Sequence, residues 1–556
     1  MLKKIVPVLL TIFACLSARG QQAPYYFKNY QVQNGLSSNT ITSLIQDKKG
    51  FMWFGSRNGL NRFDGHVFKI FRNKIGDSSS IGSNSIFSLF EDSKETLWVG
   101  TYKGIYLFDP LLETFKPFKL IPPGEVRYLF GDRNHHIWII SNLTLYCYNE
   151  ADEKLTAFPI KNDHTITMSI TPDGSLWTAT YNGLIRRYNA GGRGYTEYNA
   201  GLAKNGFKSS AIQEVYPVGD TALIVGTMNQ AILYNYKTNR LRDIFRGEKS
   251  AVDMHVHTIF HQADDTYWLG TESGLHIFNL KTNKTATAQK QYGNPYAITD
   301  NIVSVIGKDR EGGTWIGTYF GGINYYSGQY NNFVKYFPEP GLNSLSGNIV
   351  HEITKDQYGN VWVGTEDAGL NKVNPKTGYV KRFLPDGKPG SITYRNIHGL
   401  AADGDKLWIG TYEHGLDLMD LKTEKVIKHY SSGKSVKDFS SNFIVSLYKT
   451  HDGDLLIGTW NGLFKYNRST DDFTADPFFT DHIQSIHEDK EGTLWVSSYG
   501  GGVYYRNNAK NIIGRLRYQP GTPTSIINDY VNGLFIDSRN TIWFCTEGGL
   551  TRYKPA

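Results

Sequence analysis

A chain of 556 residues exceeds what one ordinary hydrophobic core organises, so two units or a repeat array is expected. With 14% aromatic residues, 57 glycines and 20% charged residues, the composition is that of a soluble β-rich protein. The net charge of +7 is spread without a basic run, which excludes the clustered Lys and Arg of a nucleic-acid surface.

The first segment, MLKKIVPVLLTIFACLSARGQQ, reads as a leader rather than as fold. Lys3 and Lys4 form a basic n-region, Ile5 to Leu16 an apolar run, and Ala18-Arg19-Gly20 a cleavage site. Residues 1–20 are therefore assigned as a signal peptide of an exported chain. The apolar run is too short to span a bilayer, and lipidation at Cys15 is an alternative that Phe13 fits poorly. After processing, Cys147 and Cys545 remain on predicted strands of different repeats, and two buried, unpaired thiols are expected.

From residue 24 onward one unit recurs twelve times. Its key position falls at Trp53, Trp98, Trp138, Trp177, Ile224, Trp268, Trp315, Trp362, Trp408, Leu456, Trp495 and Trp543, at intervals of 39 to 48 residues. Ten of the 11 tryptophans thereby share one position, and only Trp460 stands outside it. Each unit reads as four short strands. The first is ITSLIQD in copy one, with an Ile or Val twelve residues before the key position in ten copies and eleven before it in copies four and nine. An Asp-x-x-Gly turn leads to the WVGT-like second strand, followed by GLNRFD or GIYLFD and then VFKIFRN or FVKYFP. Apolar alternation at period two between Gly, Asn and Asp turns marks half-buried antiparallel strands.

Four-stranded units of this length predict an all-β fold of tandem β-propellers with twelve four-stranded antiparallel blades. The key aromatic residue is expected to fill the wedge between adjacent sheets, since Ile224 and Leu456 replace it. YYFKNYQVQNGLSSN near Tyr25 aligns with a fourth strand plus linker, so the chain opens on a strand that can complete a ring. Splits of seven and five or six and six blades both fit. The assigned boundaries are 24–326 for a first propeller of about seven blades and 327–556 for a second of five.

These motifs carry a resemblance. NGLSSNTITSLIQDKKGFMWFGSRNGLNRFDG resembles the two-component regulator propeller repeat, and the likeness runs from about Tyr25 to Ala556. In that family two seven-bladed propellers precede an immunoglobulin-like module, a membrane helix and a cytoplasmic histidine kinase. The resemblance implies a periplasmic region, tethered to the inner membrane in the full-length protein, that senses oligosaccharides and signals to the kinase. Twelve blades in place of fourteen imply a fragment with an incomplete second ring. The implied partners are an oligosaccharide and the downstream kinase module, and a homodimer stays open. No cofactor, no nucleic acid and no catalytic residue is expected within these residues.

Alternating strand direction puts the approach to strand one and the turn between strands two and three on the same face of a blade. Residues there vary within a constant repeat, which is where individuality and recognition reside. Four residues after the key position lie Arg57, Tyr102, Tyr181, Tyr319, Tyr412, Trp460 and Tyr499, with Glu272 and Glu547 among their counterparts. After the strand-one Ile or Val lie Arg127, His257, His351 and His398. Tyr and Trp offer a flat apolar plate with a polar tip, and Arg and His offer hydrogen bonds, a combination suited to sugars. His255-x-His257 projects two imidazoles as a metal site would, but with no Cys or acidic third ligand nearby no metal is expected. The rival readings are a propeller glycoside hydrolase or lyase, which would need a pair of acids, and a protein-interaction propeller.

Overall fold

The computed structural model describes residues 25–158, 164–171, 174–188, 194–206, 211–245, 254–328, 333–339, 343–433 and 438–555. The leader at 1–20, with Cys15, lies outside them. The described chain forms twelve antiparallel sheets, eleven of four strands and one of three, in two compact units divided between Val334 and Lys335.

In the first unit, blade one comprises Ile41–Gln46, Met52–Ser56, Gly59–Phe63 and Phe68–Phe71, paired in sequence order. Blades two to six repeat this meander. Blade seven takes three strands from Val303–Lys308, Thr314–Thr318 and Ile323–Tyr326, and its fourth is Lys28–Tyr30 from the start of the described chain. Lys28 pairs with Tyr325 and Tyr30 with Ile323. That strand occupies the edge for which the sequence offers FVKYFP, so residues 333–338 form no strand and Phe333 and Val334 are exposed. Blade seven also joins blade one: Arg310 Nη2 donates to the Asp47 carbonyl at 2.6 Å, and Thr40 Oγ1 donates to the Tyr319 carbonyl at 2.6 Å. Seven sheets thus close on themselves.

The tryptophans fill the wedges. Trp53 packs with Leu89, Leu97 and Phe108 of the next blade, and Trp408 with Leu455, Ile457 and Phe464. A carboxylate fixes them. In seven blades the aspartate six residues earlier accepts the indole N–H, as in Asp47 to Trp53 at 2.7 Å and Asp356 to Trp362 at 2.8 Å. Its other oxygen accepts backbone N–H groups of its own turn, for example from Phe51 at 2.9 Å. One side chain thereby shapes the turn and satisfies a buried donor, which is costly to leave unpaired. Copies five and ten, with Ile224 and Leu456, carry Val218 and Thr450 instead of this aspartate. Copy four has Thr171, and there the buried Trp177 Nε1 has no hydrogen-bond partner among the described residues.

Glycine explains the approach of one blade to the next. A Cβ on Gly55 would lie 2.8 Å from Ile86 of blade two, and one on Gly317 would lie 2.7 Å from Ile41 of blade one. The Trp-x-Gly glycine is therefore the floor on which the neighbour's strand-one Ile or Val rests. In copy four that position pairs with Thr180 and belongs to Thr165, twelve residues before Trp177, rather than to Ile166. The sequence pattern favours the apolar neighbour, whereas register sets the position.

In the second unit, blades eight to twelve follow one another through the same contacts. Blade twelve has three strands, Val531–Ile536, Ile542–Thr546 and Gly549–Tyr553. Val350 of blade eight is 42% exposed, whereas its counterpart Ile41 is fully buried, and Leu550 of blade twelve is 59% exposed, whereas Leu60 is buried. Cys147 is buried, but Cys545 is exposed, contrary to the sequence expectation. Cys545 pairs with Gly533 as Gly55 pairs with Ser43, so it occupies the glycine position of a sheet whose outer face is uncovered.

Asp489 of blade eleven accepts the N–H groups of Glu491, Thr493 and the Trp495 indole. Asp489→Ala is expected to lower the free energy of urea unfolding by about 1–3 kcal/mol, whereas Thr171→Asp, which offers Trp177 the missing acceptor, is expected to raise it. Unchanged urea midpoints in both variants would contradict this role for the carboxylate.

Candidate functional site

Every first strand carries a β-bulge at the same place. In blade one Ile41 pairs with Ser56 and Ser43 with Gly55, which leaves Thr42 without a cross-strand partner. The same irregularity recurs in the other eleven sheets. A bulge re-aims one side chain while the ladder continues. Here the bulged residue turns toward the adjacent blade, as Thr42 Oγ1 donates to the Ile86 carbonyl at 2.6 Å. The bulged residues include Arg127, His257, His351 and His398.

A second tie brings two more positions alongside. The backbone N–H four residues after the key position donates to the carbonyl of the residue before the strand-one Ile or Val. Tyr412 donates in this way to Asn396, Trp460 to Phe443 and Tyr499 to His482. Three positions per blade therefore converge: the residue before that Ile or Val, the bulged residue after it, and the residue in the turn between strands two and three.

In the second unit these positions build a continuous aromatic arc. His351 stacks on His398 with ring centroids 3.8 Å apart, and His398 stacks on Tyr412 at 4.9 Å. Tyr412 meets Phe443 edge-on at 4.9 Å, and Phe443 lies parallel to Trp460 at 4.3 Å. Trp460 contacts His482 at 5.2 Å, His482 contacts Tyr499 at 5.9 Å, and Tyr499 contacts Tyr530 at 4.8 Å. Tyr499 Oη donates to Glu547 Oε1 at 2.8 Å. Unlike the wedge tryptophans, Trp460 is 41% exposed, so its ring is available to a ligand.

Two ring nitrogens of the arc are unpartnered: His398 Nε2 and His482 Nε2 are buried, with no hydrogen-bond partner among the described residues. Burial, helped by His351, pushes His398 down to about 4, and burial also lowers His482. At neutral pH both are neutral imidazoles, each with one donor and one acceptor nitrogen. Flat rings interleaved with neutral hydrogen-bonding groups suit an uncharged polyhydroxylated ligand.

Of the eleven residues singled out from sequence, the arc gathers His351, His398, Tyr412, Trp460 and Tyr499. The other six lie in the first unit. The Arg57 guanidinium sits over the Tyr319 ring, 4.9 Å from its centroid. Arg127 Nε donates to Glu125 Oε1 at 3.0 Å. Tyr102 and Tyr181 stand exposed on blades two and four, and His257 lies against His255, with ring centroids 4.2 Å apart. Sequence reasoning missed Phe443, His482 and Tyr530. Their signal is an aromatic residue directly before the strand-one Ile or Val.

The family profile described as two component regulator propeller matches residues 35–58, 80–103, 344–367, 438–461 and 477–500. The chain carries two-component regulator propeller repeats. It is 28% identical over 574 aligned residues to histidine kinase P4 of Formosa agariphila, and the match covers 98% of this chain and 38% of that protein. The chain thus spans less than half the length of this curated relative. Among solved structures it resembles the extracellular domain of the hybrid two component system BT3049 from B. thetaiotaomicron. There the TM-score is 0.64 at 21% identity, covering 95% of this chain and 77% of that one, which establishes a shared fold. No helix among the described residues is long and apolar enough to cross a membrane.

The unfolded chain protonates His398 near 6.5, while the folded chain resists protonation until about 4. Stability therefore falls as pH drops through that interval, because the unfolded state binds the extra proton. His398→Gln is expected to flatten this slope in urea midpoints measured from neutral to acidic pH. An unchanged slope would show that His398 is not held neutral.

Proposed function

We propose that these residues form the extracytoplasmic ligand-sensing region of a two-component signalling protein and that the arc of the second unit binds an oligosaccharide. The observation that carries this reading is the arc itself: seven rings beyond His351, drawn from the variable positions of blades nine to twelve, with two buried imidazole nitrogens left for hydroxyl groups. Such a surface binds sugar faces by stacking and reads hydroxyls by hydrogen bonds. A glycoside hydrolase instead needs two carboxyl groups set about a scissile bond, and Glu547 on the arc is engaged by Tyr499.

The likeness to histidine kinase P4 and to the BT3049 extracellular domain supports a sensor coupled to a kinase outside these residues. Export follows from the leader, and a periplasmic position fits it. The ligand moves the kinase only if it binds one arrangement of the region, or of two copies, better than another. The exposed faces of Val350 and Leu550 fit a second ring that further blades complete.

Thermal-shift screening of the exported region against oligosaccharides is expected to find a ligand that raises the unfolding temperature. Trp460→Ala and Tyr412→Ala should each weaken that ligand at least tenfold. Turnover of the glycan, or unchanged affinity in both variants, would overturn the reading.

A further inference from the structure

We propose a binding site for a borderline divalent metal ion, Zn²⁺ by its chemistry, on blade six of the first unit, formed by His255, His257 and Glu272. These residues occupy the three convergent positions described above. His255 precedes the strand-one Val256, His257 is the bulged residue after it, and Glu272 lies in the turn between Thr266–Thr271 and Gly274–Asn279. The Glu272 N–H donates to the His255 carbonyl at 3.2 Å, which fixes the turn beside the histidines.

The side chains then present one ligand atom each, all within 4.8 Å of one another. Glu272 Oε1 lies 3.4 Å from His255 Nδ1 and 3.6 Å from His257 Nε2. These separations are too long for good hydrogen bonds, which peak at about 2.9–3.0 Å. They match ligand atoms around a tetrahedral ion: bonds of about 2.0–2.1 Å at the tetrahedral angle put neighbouring ligands roughly 3.3–3.4 Å apart. His257 Nε2 is buried and has no hydrogen-bond partner among the described residues, so an ion would satisfy an atom that they leave unpaired.

Donor type sets the class of ion. Two imidazoles and one carboxylate favour zinc and its transition-metal neighbours over Ca²⁺ or Mg²⁺, which take oxygen ligands. Three protein ligands leave a fourth position for water, or for a carboxylate or hydroxyl oxygen of a bound molecule. The sequence offered the two histidines without a third ligand. Folding supplies it from the next hairpin of the same blade, so the expectation of no metal gives way here.

Isothermal titration of the untagged chain with Zn²⁺ is expected to give one ion per chain, and Co²⁺ in its place should give the intense visible bands of a four-coordinate site. Glu272→Gln, at a partly exposed turn, and His257→Asn should each weaken Zn²⁺ at least tenfold, with the Co²⁺ bands lost. Absence of Zn²⁺ binding would overturn the proposal. So would unchanged affinity and spectrum in Glu272→Gln, which would place the ion elsewhere.

Discussion

In seven of the twelve blades a hydrogen bond from a buried indole to an aspartate six residues earlier holds the wedge in place. A tryptophan filling the gap between two twisted sheets buries a large apolar ring, but it also carries an N–H that must find an acceptor. The aspartate supplies that acceptor while closing its own turn, so the interblade core and the hairpin are set by one carboxylate. Where the ring is replaced by Ile224 or Leu456, the donor disappears and so does the aspartate.

With the wedge fixed, the other recurring residues follow. A glycine after the tryptophan lets the next blade's Ile or Val approach its backbone, and the bulge beside that Ile or Val releases one side chain from the ladder. The repeat therefore spends its constant residues on packing and leaves three adjacent positions per blade free. Blades nine to twelve fill them mainly with rings, which yields an extended stacking surface. Blade six fills them with His255, His257 and Glu272, which yields a compact cluster of ligand atoms. The same backbone thus presents two different sets of side chains, and the difference lies in positions outside the wedge packing.

Much of this was legible in the sequence because it is local. The period, the strand alternation and the structural role of Trp53 and its counterparts can all be read within a single repeat. Positions that vary inside a constant pattern pointed to His351, His398, Tyr412, Trp460 and Tyr499. The features that escaped depend on register or on convergence between elements. The bulge changes no residue type, so nothing marks Thr165 rather than Ile166 as the packed residue of copy four. The indole bond requires knowing that Asp47 and Trp53 turn toward each other. Phe443, His482 and Tyr530 join the arc only because a backbone hydrogen bond draws the start of strand one against the turn between strands two and three. FVKYFP has the alternation of a strand, yet Lys28–Tyr30 already occupies the edge it would pair with.

The division between packing tryptophans and the one outside the repeat is the claim on which the functional reading rests, and urea unfolding of Trp362→Ala beside Trp460→Ala tests it most directly. Trp362 is fully buried in the wedge, so its removal should cost about 3–5 kcal/mol. Trp460 is 41% exposed on the arc, so its removal should cost about 1 kcal/mol or less. Equal losses in the two variants would mean that Trp460 is scaffold as well, and would contradict the assignment of the arc to recognition.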